Sequence, residues 1–318
     1  HEVYITGSIG ISLYPNDGDE AKILLKSADI AMYRAKKSGK NTYQFCVSDL
    51  IFEVEERALL EQQLYRAVKQ KEFLVVYQPK ISLQTNALTG FEALIRWNIP
   101  NADLIFPGQF IAVAESNGLI IPIGEWLLEA VCRQGVEWLK DKVAFGTIAI
   151  NISIRELSNP GFIDHVKETL TRTGFDPNLL EFEVTESILM NNSEKNLTVL
   201  RELKLLGIKI TIDDFGTGYS SLSYLHLFSI DKLKIDRSFV SKITSDKHNP
   251  IIINAIIGMA HSLGICVVAE GVENIGQLNF LKKYGCDEAQ GFYCSYPLAP
   301  VLVGEYVAKQ AELMSNLK

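Results

Sequence analysis

KITIDDFGTGYSSLSYL, residues 209–225, runs an apolar alternation straight into two carboxylates and then into a glycine-broken, hydroxyl-rich loop. Ile210 and Ile212 point the same way from a pleated strand. Asp213 and Asp214 follow where that strand should end, and Gly216 and Gly218 loosen the backbone beyond them. Adjacent aspartates at a strand tip suit a hard divalent cation, which prefers carboxylate oxygen. Alone, such a pair is more often a solvated turn, so its meaning depends on the other strand ends.

Those ends repeat the pattern. FLVVYQPKISL, TGFEALIRW, FGTIAINIS, LLEFEVTE, IDKLKID, CVVAEGVE and EAQGFYCSYP are short β-branched or aromatic runs. All but the first carry a polar residue at or near the end: Glu92, Asn151, Glu183, Lys234, Glu270 and Gln290. Between most of them lie apolar residues at helical spacing, such as Trp126, Leu127, Ala130 and Val131. Strand and helix in alternation is the grammar of a parallel sheet. With the Asp213 run the strands fill roughly 250 residues, the size of a closed (β/α)8 TIM-like barrel, whose chemistry sits at the carboxyl ends of its strands. Only a short turn around Gln84, Thr85 and Asn86 separates the first two runs. A parallel crossover needs a dozen or more residues, so the first strand is expected to be antiparallel. A doubly wound open sheet is the alternative, and it would leave the recurrent acids unexplained.

The chain resembles the EAL-domain phosphodiesterases of cyclic di-GMP. The tripeptide stands here as Glu92, Ala93 and Leu94, and the resemblance covers about residues 55–300. It continues through NIS at 151–153, EVTE at 183–186, DDFGTGYSS, KID at 234–236, AEGVE at 269–273 and CDEAQG at 286–291. Any one of these is weak; all of them in the family's order make a chance match untenable. The resemblance implies two Mg2+ or Mn2+ ions that clamp a phosphodiester and acidify a water. Glu92, Asn151, Glu183 and Asp213 would hold one ion, and Asp213 would bridge to a second held by Asp214, with Glu270 nearby through water. Lys234 would contact the attacking water as a base. Ca2+, larger and looser in geometry, is expected to inhibit. Gln78, Leu94, Arg96, Glu273 and Gln290 match positions lining the dinucleotide cleft, and Arg96 shares a strand face with Glu92. Glu186 would brace the loop after Asp214 through Thr217, Ser220 and Ser221. The segment with Tyr224, Leu225, Leu227 and Phe228 is a candidate homodimer contact.

The opening residues carry a second resemblance, to the tail of a GGDEF diguanylate cyclase domain. SIGISLYPNDG reads as strand and turn. AKILLKSADIAMYRAKKSGKN reads as a helix with Leu24, Leu25, Ala28, Ala31 and Ala35 on one face. The cyclase's GGDEF loop is not in this sequence, so no cyclase activity is expected, and the chain reads as a fragment of a longer GGDEF-EAL protein. The organisation expected is a remnant at 1–46, a linker at 47–54 and a phosphodiesterase domain at 55–318.

With 318 residues, 47% hydrophobic, the chain can bury a large core, and it holds no apolar run of membrane-spanning length. Its five cysteines show no CxxC spacing and read as buried free thiols of a cytoplasmic protein. A net charge of −7 argues against nucleic acid polymers as partners. The function expected is hydrolysis of cyclic di-GMP to linear 5′-pGpG. The alternative is a catalytically silent receptor for the same dinucleotide, although such receptors usually lack several of the acids retained here. A third is a barrel serving mainly as an interaction platform.

Overall fold

The structure, a computed structural model, describes residues 6–46, 48–100, 103–190, 194–216, 230–243 and 248–315. The chain divides into two compact units, residues 1–70 and 71–318. In the first, strands β1 (Ile9–Ile11) and β2 (Tyr43–Phe45) pair in parallel. The helix Ala21–Lys37 between them buries Ser27, Ala31 and Ala35. Leu25, expected on that buried face, is 73% exposed. It follows Leu24 by one residue, about 100° around the helix, which takes it off the stripe. A second helix, Ser48–Gln70, runs through the stretch expected as a linker. It contains neither Pro nor Gly, so nothing in the sequence stops it before the division at residue 70.

The second unit is a barrel. Its strands are β3 (Phe73–Ser82), β4 (Leu88–Asn98), β5 (Leu104–Ile105), β6 (Thr147–Ile152), β7 (Leu180–Thr185), β8 (Lys209–Phe215), β9 (Lys232–Ile235), β10 (Cys266–Ala269) and β11 (Glu288–Ala289). The sheet runs β3-β11-β10-β9-β8-β7-β6-β4, and β3 pairs back onto β4, closing eight strands into a ring. β3 is antiparallel to both its neighbours, as the short turn requires. Asn86 makes that turn possible with a φ of 58°. The other barrel pairings are parallel. The short β5, which the sequence did not suggest, adds an antiparallel edge outside β4. The last strand is shorter than its run of apolar residues, because at Gly291 (φ 156°) the backbone turns onto Val272. A Cβ at 291 would stand 2.2 Å from the Val272 carbonyl oxygen.

Alternation along the strands sorts the side chains. Tyr77, Phe91, Phe182, Ile210, Ile212, Leu233 and Val267 are buried on the face toward the helices. There Tyr77 meets Trp138 of the helix Ile120–Lys140 with ring centroids 4.7 Å apart. Phe182 meets Phe162 of the helix Phe162–Thr173 at 6.1 Å. The opposite positions face the barrel axis. The interior of such a barrel is ordinarily filled with branched apolar side chains. Here it is ionic: Lys80 Nζ lies 2.7 Å from both Glu181 Oε1 and Glu183 Oε1. Lys232 Nζ lies 2.9 Å from Glu288 and 3.4 Å from Glu181. The hydroxyls of Thr147 and Thr211 donate to Glu181 at 3.2 and 2.9 Å. Burial opposes the charge on Glu181, but Lys80 and Lys232 hold its carboxyl well below the usual range.

Gly90 stands opposite Lys80 in the β3–β4 ladder and beside Thr147 of β6. A Cβ there would lie 2.5 Å from the Thr147 carbonyl oxygen, a backbone atom that cannot swing away. Gly90→Ala is therefore expected to cost about 1–3 kcal/mol of stability by overpacking. Thermal denaturation checks this, and an unchanged midpoint would show that the ring has slack at this level.

Candidate active site

Adjacent residues of a regular strand face opposite ways, yet Asp213 and Asp214 serve one site. The β8–β9 ladder explains it: the register shifts between Ile212 and Phe215, a bulge that re-aims a side chain. Asp214 takes the left-handed conformation, φ 55°, which a short polar residue tolerates. Its amide donates to Asp213 Oδ1 at 2.9 Å. Asp213, Asp214 and Glu270 each bring a carboxylate oxygen within 4.8 Å of the others. Burial, then Asp213 and Asp236, push the Asp214 carboxyl up.

Lys234, fully buried, reaches into the same mouth. Its Nζ lies 2.5 Å from Glu183 Oε2 and from Glu270 Oε1, 3.3 Å from Asp213 Oδ2 and 3.4 Å from Glu92 Oε2. Burial opposes its charge, but Glu183, Glu270, Glu92 and Asp213 outweigh it and hold the ammonium's proton more tightly than on a free lysine. One cation among four acids leaves the mouth short of positive charge. Burial accordingly pushes Glu270 up to about 8, with Lys234 opposing and Asp213 and Glu92 adding to the rise. Glu183 is also raised, by burial and by Glu92, against the pull of Lys234 and Lys80. Such a donor set fits hard divalent cations: carboxylate oxygens in excess of their counter-charge, with the amide of Asn151 alongside.

Glu92 is held from both sides. Asn151 Nδ2 donates to its Oε1 at 2.7 Å and Gln290 Nε2 to its Oε2 at 2.6 Å. Gln290 Nε2 also reaches Gln78 Oε1 at 3.0 Å, and Gln78 Nε2 donates to the Ser295 carbonyl at 3.2 Å. Gln290 Oε1 is buried without a partner. Gln78, Glu92, Glu270, Glu273 and Gln290 border one cavity of about 160 Å³. Across its rim Arg237 Nη2 lies 2.6 Å from Glu273 Oε1, and the arginine stem lies over Gly271. Glu273 is set by the start of the next helix, where its amide donates to Gln277 Oε1 at 2.7 Å. A larger cavity of about 390 Å³ is bordered by Leu94, Ile111, Asn151, Glu156, Glu183 and Thr185 among others. Arg96 borders neither of these two cavities; its guanidinium stacks 5.0 Å over Phe106 and donates to the Ile95 carbonyl at 2.8 Å. The charge of Glu92 still reaches it.

Sequence reasoning passed over Lys80, Arg237 and Glu156. Buried Lys80 is indistinguishable by type from a solvated lysine, although its place two residues past Gln78 on an alternating strand was a signal. Arg237 directly follows KID and could have been found on that ground. Three of the five cysteines are buried, while Cys266 and Cys294 are half-buried, and all are free thiols.

Residues 61–297 match the EAL domain family and residues 1–42 the diguanylate cyclase GGDEF domain. The chain belongs to the EAL-domain family. It is 42% identical over 298 residues to the bifunctional diguanylate cyclase/cyclic di-GMP phosphodiesterase MucR of Pseudomonas aeruginosa, covering 94% of this chain and 44% of that protein. It is 38% identical over 302 residues to the cyclic di-GMP phosphodiesterase PdeR of Escherichia coli, covering 94% and 45%. The chain thus spans less than half the length of these relatives. Among solved structures, a MucR phosphodiesterase in complex with c-di-GMP superposes with a TM-score of 0.73 at 40% identity, covering 76% of this chain and 98% of that one.

In this EAL barrel Glu186, just past β7, accepts the Gly216 amide on Oε2 at 3.2 Å, while its Oε1 is buried without a partner. Gly216 takes a φ of 97°. Thr217, Ser220 and Ser221, expected to meet Glu186, and the candidate dimer segment from Tyr224 to Phe228 lie outside the described residues. No described helix is long and apolar enough to cross a membrane.

Glu156, three residues past the NIS stretch of the EAL domain, closes a reciprocal cap: Ser153 donates to its Oε2 from the amide at 2.9 Å and from the hydroxyl at 2.6 Å, and the Glu156 amide donates back to the Ser153 hydroxyl at 3.3 Å. Burial nevertheless pushes its carboxyl up to about 7. The folded state therefore binds the proton more tightly than the unfolded chain, and stability falls as pH rises from about 4.5 to about 7. Glu156→Gln should remove that loss, making the variant more stable than the parent at pH 8, by on the order of 1–3 kcal/mol, and closely matched at pH 5. Urea denaturation at the two pH values checks it; equal stabilities at pH 8 would mean that the carboxylate is solvated.

Proposed function

We propose that this chain is a metal-dependent phosphodiesterase that opens cyclic di-GMP to linear 5′-pGpG. The observation that carries the reading is the convergence of Glu92, Asn151, Glu183, Asp213, Asp214, Lys234 and Glu270 on one barrel mouth beside two cavities. The first ion would rest on Glu92, Asn151, Glu183 and Asp213, and the second on Asp213 and Asp214 with Glu270 near. When bound, two Mg2+ or Mn2+ ions supply charge neutralisation at the phosphoryl oxygens, acidify water and take up the carboxylate charge that holds the Lys234 proton. Lys234, once its own proton has passed to solvent, would accept a proton from the water as that water's oxygen bonds to phosphorus; the phosphorus bond to the 3′ oxygen breaks, and Lys234 returns the proton to the departing 3′ oxygen. Gln78, Leu94, Glu273 and Gln290 would line the base and phosphate contacts, and Arg96 would join them by leaving the Phe106 ring on which its guanidinium now stacks. The unpartnered Gln290 Oε1 is suited to a donor on the substrate, and Glu273 to the N–H edge of a guanine. Glu186 orders the loop that starts at Asp214 by holding Gly216. The wholeness of the acid set favours hydrolysis over a receptor role. The reading extends to a cytoplasmic setting and a homodimer.

Incubation with cyclic di-GMP and Mn2+ or Mg2+, followed by chromatography, is expected to yield pGpG, and the same incubation with Ca2+ to leave substrate intact. Ca2+ prefers longer bonds and more ligands, which misplace the water. Intact substrate after prolonged incubation with Mn2+ would overturn the enzymatic reading in favour of the receptor.

Turnover and affinity should separate by residue. Asp213→Ala deletes the shared ligand and is expected to abolish turnover. Lys234→Ala costs mainly proton transfer, a loss of roughly 100- to 10,000-fold with dinucleotide binding still measurable. Single-turnover rates beside equilibrium binding decide this, and a near-parental rate for the lysine variant at neutral pH removes Lys234 from the chemistry.

A further inference from the structure

Glu183 divides its two oxygens between two lysines. Oε2 faces the mouth and meets Lys234 at 2.5 Å, whereas Oε1 faces inward and meets Lys80 at 2.7 Å. Lys80 comes from β3, the antiparallel strand, and its side chain and those of Glu181 and Glu183 have no solvent exposure. The room its chain occupies is opposite Gly90, which offers no side chain. Lys80 cannot swing away, because its second partner Glu181 is itself fixed by Thr147, Thr211 and Lys232.

We infer that Lys80 is a positioning residue that makes Glu183 a one-oxygen metal ligand and thereby biases the site toward small octahedral cations. This rests on the proposal that Glu183 is a ligand. With Oε1 committed to the buried Lys80, Glu183 has only Oε2 to give, the oxygen that Lys234 would yield to an ion at the mouth. Mg2+ and Mn2+ accept single-oxygen carboxylate ligands in octahedral sites, whereas Ca2+ gains from carboxylates that chelate with both oxygens at longer range. Partners behind a ligand orient it, and their removal typically costs about 10- to 100-fold in metal affinity. If Lys80 served only to neutralise buried charge, its loss would lower stability without changing which ion the site prefers.

The test measures Mn2+ and Ca2+ binding calorimetrically on the unmodified protein and on the double variant Lys80→Met with Glu181→Gln, with a thermal melt of each. The double variant removes one positive and one negative charge, so the interior keeps its balance and Lys232 keeps Glu288. The expected result is a Mn2+ affinity weaker by about 10- to 100-fold, with Ca2+ affinity unchanged or stronger, so that the preference for Mn2+ shrinks by about the same factor. A folded double variant with the parental Mn2+-to-Ca2+ ratio overturns the inference while leaving the metal reading standing. An unmodified protein that binds no Mn2+ overturns both. Should the double variant not fold, the ratio is read on Lys80→Gln, whose neutral amide leaves Glu183 Oε1 without its ammonium while keeping a hydrogen-bond donor in place. A shifted ratio there supports the inference and a parental ratio overturns it.

Discussion

A carboxylate or an ammonium moved into a dry interior loses several kcal/mol of hydration unless a partner and further hydrogen bonds replace it. This barrel accepts that cost repeatedly, and the distribution of its charges decides what the molecule can do. In the deeper level Lys80 and Lys232 face Glu181 and Glu288, and two threonine hydroxyls complete the hydrogen bonding of Glu181. At the mouth Lys234 faces Glu92, Glu183, Asp213 and Glu270, and of these four only Glu183 also meets a second described lysine, Lys80 from below. The interior is thus neutral below and short of cations above, and the shortage lies where solvent and ligands can reach it.

The apolar side of the strands makes this possible. Tyr77, Phe91, Phe182 and Leu233, each 1% exposed or less, pack outward and carry the hydrophobic stabilisation that an ionic core cannot. Closure of the ring through the antiparallel β3 brings Gln78 level with Glu92 and Lys80 level with Gly90, so one strand supplies both a rim contact and an inner strut.

Much of this was legible in the sequence because a strand's period of two is unambiguous: seven runs ending in Glu92, Asn151, Glu183, Asp213, Lys234, Glu270 and Gln290 read as one mouth once they are placed in a barrel. The antiparallel first strand was legible for a steric reason, the brevity of the 84–86 turn. The pairing of Lys80 with Glu181 was not, since 101 residues separate them and each alone has the composition of a surface position. Arg96 was placed on the right strand face, but its stacking on Phe106 depends on the segment preceding the helix Pro107–Asn117, whose path no local pattern specifies. The unbroken helix Ser48–Gln70 was hidden by a boundary drawn from family limits instead of from breakers.

Two neighbouring acids at the tip of β8 share one site only because the chain carries an extra residue there. Remove one residue between 213 and 215 and the ladder to β9 becomes regular, Ile210 and Ile212 keep their packing, and the mouth retains one carboxylate at that tip instead of two. How many acids this corner presents is therefore a matter of strand length, decoupled from the residues that build the barrel. The second acid thus depends on the bulge, whereas the outward packing of Ile210 and Ile212 belongs to the regular part of the strand before it.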